Sequence, residues 1–163
     1  MKIIEIFNSI RDIPFKIPLS IEDQSVDCDK KHKKLYDALK KEKIDVRFRV
    51  CTFLWSEQSI PKKILEIPHV DKCEHLYLEA FINKKWVTLD ITWDILLNKI
   101  FAIKEWDGIS DTDIAVKPLE ILSQEENQNL SHNVNNVENF LEDIKNNRAF
   151  YKALNLWLEA NRS

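Results

Sequence analysis

Two strand-like runs separated by a short turn limit the fold of this chain more than any other feature of its sequence. The runs cover residues 74–82 and 86–92, and Asn83-Lys84 between them predicts a tight turn. If these two residues form the turn, residue 82 opposes 85 and, further along the hairpin, Tyr77 opposes Asp90. The sequence therefore predicts an antiparallel hairpin with a defined register.

That register brings a histidine and an aspartate together. His75 is two residues from Tyr77 and shares its face of the strand, because side chains alternate between faces. His75 and Asp90 then become diagonal neighbours, about 7–8 Å apart at Cα, and their side chains can close this gap to a hydrogen bond. A three-residue loop would place them on opposite faces, so the pairing requires a loop with an even number of residues.

A helix with a cysteine at its start is predicted earlier in the chain, over residues 28–41. Asp27 or Ser25 is suited to cap it, because a short side-chain oxygen can accept a free N–H of the first turn. Its inward stripe has helical spacing and consists of Cys28, His32, Leu35 and Leu39. The unpaired N–H groups and positive dipole end at the start of a helix favour a thiolate, and we expect the Cys28 thiol to ionise easily.

The remaining segments complete an α+β chain. Residues 46–55 predict a strand, 1–12 a short helix and 137–161 a long C-terminal helix. We expect loops over 56–73, with one helical turn near 62–67, and over 123–136, whereas 93–122 is mixed. The chain has 163 residues, which suits one domain over 1–163 with its core at about 20–120. The predicted architecture is a nucleophile-bearing helix packed on an antiparallel sheet with flanking helices.

Composition excludes several functional classes. The net charge is −3, which argues against a nucleic-acid-binding protein, and the single glycine excludes a glycine-rich phosphate loop. No apolar run reaches the roughly 20 residues that a membrane-spanning helix needs, and the N-terminus lacks the pattern of a signal peptide. Three cysteines in the chain fit free thiols in a reducing compartment, so we expect a cytoplasmic protein without membrane contact.

These residues resemble the transglutaminase-like superfamily, whose fold is related to that of papain. The resemblance is carried by VDCDKKHKKLYDALKKEKIDVRFRV around Cys28, by EHLYLEAFINKKWVTLD around His75, and by the order Cys, His, Asp along the chain. Two shorter elements add to it, a Cys-x-x-Lys-His that begins at Cys28 and a Trp-Asp-Gly at residues 106–108. The resemblance covers about residues 20–120 and implies a papain/transglutaminase-like fold.

The resemblance implies a catalytic triad of Cys28, His75 and Asp90, and with it a thiol-dependent acyl transfer or hydrolysis at an amide. Cys28 would attack the acyl carbon, His75 would move the proton, and Asp90 would orient the imidazole. Such an enzyme needs no cofactor and no metal, and its partner is a peptide or protein amide, with an amine acceptor if transfer occurs. Candidate residues for substrate or oxyanion contacts are Gln24, His32 and Trp55; the sequence leaves the oligomeric state open.

Other interpretations of the same residues stay open. Asp94 competes with Asp90 for the orienting role, because the two share a face if the strand continues. The domain can also be a binding or scaffold module in which the triad is vestigial. A third interpretation is a zinc-stabilised domain that uses Cys28, His32, Cys73 and His75, since zinc prefers tetrahedral sulfur and nitrogen ligands.

Overall fold

The computed structural model describes residues 2–131 and 136–163. The helices and strands follow in the order α1 Lys2–Arg11, α2 Cys28–Lys41, β1 Val46–Leu54, α3 Lys62–Leu65, β2 Lys72–Ile82, β3 Lys85–Leu89, β4 Glu120–Ile121, α4 Gln124–Ser131 and α5 Val137–Ala160. Short 3₁₀ turns lie at Trp55–Glu57 and Ile95–Leu97. The chain is therefore a mixed α+β fold, as its sequence predicts.

The four strands form one antiparallel sheet in the order β3-β2-β1-β4. The hairpin register is confirmed, with Ile82 paired to Lys85 and Leu78 paired to Leu89. Asn83 and Lys84 both have positive φ values, 49° and 64°, which is the backbone of a type I′ turn. This turn has the right-handed twist that a two-residue hairpin requires, and it fixes the pairing on which the His75–Asp90 geometry depends.

Helix α2 begins and ends where its flanking residues satisfy the free backbone groups. The Asp27 side chain accepts a hydrogen bond of 3.1 Å from the Lys30 N–H, so Asp27 and not Ser25 is the cap. At the other end Lys43 has a φ of 61°, and the Ile44 N–H closes back onto the Leu39 carbonyl. The helix boundaries at Cys28 and Lys41 agree with the sequence prediction.

Hydrophobic clusters form on both sides of the sheet. One contains Leu35 and Leu39 of α2, Phe7 of α1, and the strand residues Leu78 and Leu89. The other is centred on the alternate strand residues and on the buried face of α5, and its members include Cys51, Phe53, Tyr77, Phe150 and Leu154. His75 shares its strand face with Tyr77, and Cys28 packs against this second cluster. The candidate site therefore lies where α2 meets the side of the sheet that α5 covers.

Two sequence predictions need correction, and one strand lies in a segment for which no strand is predicted. The second strand of the hairpin ends at Leu89, so residues 90–92 leave the sheet, where their polar groups bind other partners. Residues 123–136 were expected to be a loop, but 124–131 form α4; residues 132–135 lie outside the described residues. Strand β4 lies in a segment without strand periodicity and is held by pairing to Cys51 and Thr52. In the part of the chain that the structure describes, no helix is long and apolar enough to cross a membrane.

Candidate active site

Asp90 and His75 form the centre of the candidate site. His75 Nε2 lies 2.6 Å from Asp90 Oδ2, and both side chains are buried. The hydrogen bond that the hairpin register predicts is thus confirmed. It forms because Asp90, one residue beyond β3, continues the register of the hairpin and lies diagonally across from His75.

The Asp90 carboxylate is saturated by donors. Oδ1 accepts from the Thr92 N–H at 3.0 Å and the Thr92 hydroxyl at 2.6 Å, and Oδ2 also accepts from the Ala115 N–H at 2.8 Å. Burial by itself would raise the pKa of Asp90, but electrostatic attraction to His75 and the hydrogen bond from His75 outweigh burial and hold the pKa well below its usual value. Asp90 is therefore ionised and can only accept, so His75 Nε2 carries a proton.

This arrangement leaves the other imidazole nitrogen available. Within the described residues, Nδ1 of His75 has no hydrogen-bond partner. When His75 is neutral and Nε2 carries the proton, Nδ1 holds a lone pair and can act as a base. The pair Asp90–His75 is therefore built to hold one tautomer of the imidazole.

His32 connects the start of α2 with the Asp90 segment. It is fully buried; its Nδ1 lies 2.8 Å from the Cys28 carbonyl oxygen, and its Nε2 accepts from the Ile91 N–H at 3.1 Å. An amide can only donate, so Nε2 is unprotonated and Nδ1 carries the proton of a neutral ring. Nε2 also lies 3.5 Å from Asp90 Oδ1, but it has no proton to give to that carboxylate. His32 thus holds Cys28 and the residue after Asp90 in place.

The Cys28 thiol is less ionisable than its position at a helix start predicts. Burial raises the pKa of the thiol well above its ordinary value, and the negative charges of Asp29, Asp27 and Asp90 raise it further. Within the described residues the thiol donates one hydrogen bond, to Asp29 Oδ1 at 3.7 Å. The expectation of an easily ionised thiol is therefore wrong, because burial of Cys28, and after it the three neighbouring carboxylates, disfavour the thiolate.

The other predicted contact residues lie at different distances from this centre. Gln24 is exposed, and its amide donates to the Glu22 carbonyl at 3.2 Å. Trp55 is 7% exposed and packs in the second cluster, with ring centroids 4.8 Å from Phe53 and 5.3 Å from Phe150. The structure therefore brings His32 into the site, keeps Gln24 at the surface and holds Trp55 in the core.

Asp94 has a structural partner of its own. It is fully buried, accepts from the Phe15 N–H at 3.0 Å and forms a salt bridge of 3.0 Å with Arg162. These contacts occupy its carboxylate, while Asp90 bonds His75. The competition between the two aspartates is thus resolved in favour of Asp90.

A zinc site would need ligand atoms that converge on a common point. Both nitrogens of His32 are engaged by backbone groups, and Nε2 of His75 is engaged by Asp90. In residues 2–131 and 136–163, no group of three or more histidine, cysteine, aspartate or glutamate side chains is arranged to hold a metal ion. The zinc interpretation therefore has no ligand set among these residues.

Sequence reasoning missed the residues that hold the site from outside the hairpin. Lys31 is fully buried and its ammonium donates to the carbonyls of Arg11, Ile13 and Thr92 at 2.6, 2.8 and 2.9 Å. It thereby ties α2 to the residue that bonds Asp90. The Thr92 contact had a local signal, since a carboxylate often accepts from the residue two positions on; Ala115 and Lys31 had none.

Helix α5 also contributes polar groups near the thiols. Tyr151 is 3% exposed, and its hydroxyl donates to the Asp143 carboxylate at 2.9 Å. Burial raises the pKa of Tyr151, and the neighbouring Cys73, Asp143 and Cys28 raise it further. The hydroxyl is therefore neutral.

Comparisons with known proteins return no relative: no family model, no curated protein and no solved structure matches this chain.

Proposed function

We propose that this chain is a small papain- and transglutaminase-like protein that cleaves or transfers amides through Cys28, His75 and Asp90. The observation that supports this most strongly is the buried hydrogen bond of 2.6 Å between His75 Nε2 and Asp90 Oδ2. It fixes the tautomer of the imidazole and leaves Nδ1 as a base. His32 joins Cys28 to the same segment, with its ring centroid 6.1 Å from that of His75.

The reaction follows from the protonation states. Nδ1 of His75 takes the Cys28 thiol proton as Sγ attacks the acyl carbon of an amide, and the imidazolium is stabilised by Asp90. The resulting imidazolium gives that proton to the leaving amine, and a thioester remains on Cys28. Water or a second amine then attacks the thioester, with His75 again taking the proton, and the thiol is released with its proton restored. The substrate is a peptide or protein amide, with an amine acceptor for transfer.

The raised thiol pKa gives this mechanism a specific form. Because Cys28 is protonated in the resting protein, its proton leaves only when His75 can receive it. The thiol must also turn from Asp29 toward the imidazole before it reacts. Catalysis in this protein is therefore general-base catalysis of a thiol, and it depends on His75 more than an enzyme with a stable thiolate would.

The test is hydrolysis and transfer of peptide amides by the purified chain, together with labelling by a peptidyl electrophile located by mass spectrometry. We expect label on Cys28, and losses of about a hundredfold to ten-thousandfold in kcat/KM for His75→Ala. Asp90→Asn should lose about a hundredfold or more, because the imidazole loses its fixed tautomer. His69→Ala is the matched control, since this histidine stacks on Phe150 and makes no contact with the triad.

A second candidate function is a binding module on the same fold, and the resting state of Cys28 favours it. A thiol with a raised pKa that bonds to Asp29 is what a vestigial nucleophile would show. Labelling that does not distinguish Cys28 from Cys73, and that His75→Ala leaves unchanged, would contradict the enzyme proposal and support this alternative.

A further inference from the structure

Thr92 uses all of its polar groups to connect Asp90 with helix α2. It is 3% exposed, and its N–H and hydroxyl both donate to Asp90 Oδ1, at 3.0 and 2.6 Å. Its carbonyl oxygen accepts from the Lys31 ammonium at 2.9 Å. A shift of the Thr92 backbone would therefore disturb the carboxylate that bonds His75.

The Lys31 ammonium joins three segments of the chain at one point. Its other two acceptors are the carbonyls of Arg11 and Ile13, at 2.6 and 2.8 Å, so each of its three N–H groups has one acceptor. Arg11 is the last residue of α1, and carbonyls at the end of a helix lack a partner within the helix and attract a cation. The fully buried ammonium therefore fixes α2 to the end of α1 and to the segment after β3.

The adjacent residue of α2 acts on the same segment. His32 accepts from the Ile91 N–H at 3.1 Å, and its Nδ1 lies 2.8 Å from the Cys28 carbonyl oxygen. Lys31 and His32 thus hold the two residues that follow Asp90, from the helix that carries Cys28. The position of Asp90 is therefore set by α2 as well as by the hairpin.

The charge on Lys31 depends on pH. Burial lowers its pKa to about 8, and the attraction of nearby carboxylates offsets burial only in part. The charged groups that act on it are Asp94 and Asp90 after β3, Asp12 after α1 and Arg162 after α5, with the neutral His32 beside it on α2. A neutral amine has two N–H groups for three carbonyls, so loss of the proton leaves one carbonyl without a donor. The Thr92 carbonyl has the longest of the three contacts and is the one expected to lose its donor.

We propose that Lys31 is a positioning residue for the Asp90–His75 pair. Its ammonium holds Thr92 on the carboxylate, and loss of the ammonium proton loosens that hold and slows proton transfer by His75. The effect on turnover rests on the proposed function, whereas the effect on the hydrogen bond between Asp90 and His75 exists whether or not the protein is an enzyme.

The first measurement follows the imidazole nitrogens of His75 and the Lys31 ammonium by NMR in the unmodified protein. The pH runs from about 6.5 to about 9, a range in which exposed lysines largely keep their proton. We expect a step in the His75 shifts whose midpoint coincides with the titration of Lys31, near pH 8. Cys28 does not titrate in this range, because burial holds its pKa well above the ordinary value. Titration of Lys31 without a step in the His75 shifts would overturn the proposal.

A pair of variants gives an independent test. Lys31→Met removes the donors at every pH, and Lys34→Met is the matched control, since Lys34 is exposed on the same helix. At neutral pH we expect Lys31→Met to shift the His75 nitrogens and to lower kcat for a peptide amide about fivefold or more with KM little changed, because the substrate does not contact Lys31. Lys34→Met should change neither. Unchanged His75 shifts in Lys31→Met, or equal shifts in the two variants, would contradict the positioning role.

A loss of overall stability cannot produce the same pH dependence. The pKa of Lys31 in the folded protein, about 8, lies below its ordinary value of 10.5, so the unfolded chain binds more protons between these values. The contribution of Lys31 to the free energy of unfolding therefore rises with pH in this range. We expect kcat/KM of the unmodified protein nevertheless to fall about fivefold or more above about pH 8, and that of Lys31→Met to show no such fall.

The outcome is separable from that of the proposed function. If the His75 nitrogens follow Lys31 but the protein never cleaves or transfers peptide amides, the positioning role is correct and the enzyme proposal is wrong. If the protein turns over amides while the His75 nitrogens do not respond to Lys31, the reverse holds.

Discussion

Replacement of Lys31 by methionine tests how helix α2 is attached to the rest of the fold. Burial lowers the pKa of Lys31 to about 8, so at neutral pH the side chain is still an ammonium with three N–H donors. The structure gives it three acceptors, the carbonyls of Arg11, Ile13 and Thr92, at 2.6–2.9 Å. Methionine has similar length and fits the same space, but it donates nothing.

The loss of stability follows from the three buried carbonyls that are left without a donor. A buried carbonyl without a donor costs about 1–3 kcal/mol, and three are released here, although removal of a buried charge recovers part of that sum. Loss of one partner from a buried charged network typically costs about 3–5 kcal/mol, and we expect Lys31→Met to fall in this range. With an m-value of about 2 kcal/mol/M in urea, the unfolding midpoint should fall by roughly 2 M.

The assay is urea unfolding followed by tryptophan fluorescence and by far-UV circular dichroism. Lys34→Met is the matched control, since Lys34 is exposed on the same helix, and its unfolding free energy should change by less than about 0.5 kcal/mol. If Lys31→Met loses less than about 1 kcal/mol with an unchanged m-value, the three carbonyls do not depend on the ammonium and the reasoning fails.

Three other predictions concern single positions. Lys84→Gly should stabilise the protein by roughly 0.5–1 kcal/mol in thermal unfolding, because Lys84 has a φ of 64° that glycine adopts without strain; a lower Tm would contradict the turn assignment. Gly108→Ala should destabilise it by about 1–3 kcal/mol, since its φ is 85° and a Cβ would lie 3.1 Å from an isoleucine side chain; an unchanged Tm would show that the turn can relax. Asp29→Asn removes the largest charge that raises the Cys28 pKa, so iodoacetamide alkylation of Cys28 at pH 8 should become about three- to tenfold faster. The alkylation rate should rise because a lower thiol pKa gives more thiolate at a given pH. Asp37→Asn, further along the same helix, is the control and should leave the rate unchanged.

The local elements could be predicted because their signals lie within a few residues. The spacing of Leu35 and Leu39 predicts α2, the short turn predicts the hairpin, and strand alternation predicts the His75–Asp90 bond. Helix α4 was missed because its segment is rich in asparagine and glutamine, which also favour turns, and its helical spacing is weak. Packing against the sheet, through the bond of Asn127 to Val50, is part of what holds it.

The electrostatics of the site could not be predicted from the same signals. A helix start favours a thiolate, but the thiol pKa depends on how deeply Cys28 is buried and on how Asp29 and Asp90 are oriented. The donors that hold Asp90 come in part from Ala115, which lies 25 positions along the chain in a segment without regular structure. Similarly, Trp55 is an aromatic residue at the end of a strand, and only the docking of α5 decides that it lies in the core.

The division of the core by the sheet has a consequence for local opening. Residues of α5, among them Phe150, Leu154 and Leu158, supply much of the cluster that lies against Tyr77, while the cluster around Leu35 has its own helices. Detachment of α5 would uncover the His75 side of the sheet while α1 and α2 remained packed. Amide hydrogen exchange should then separate into two groups. The amides of α5 should exchange through an opening that costs less free energy than the opening that exposes the α2 amides. Such a partial unfolding would expose His75 at a smaller free-energy cost than loss of the whole fold.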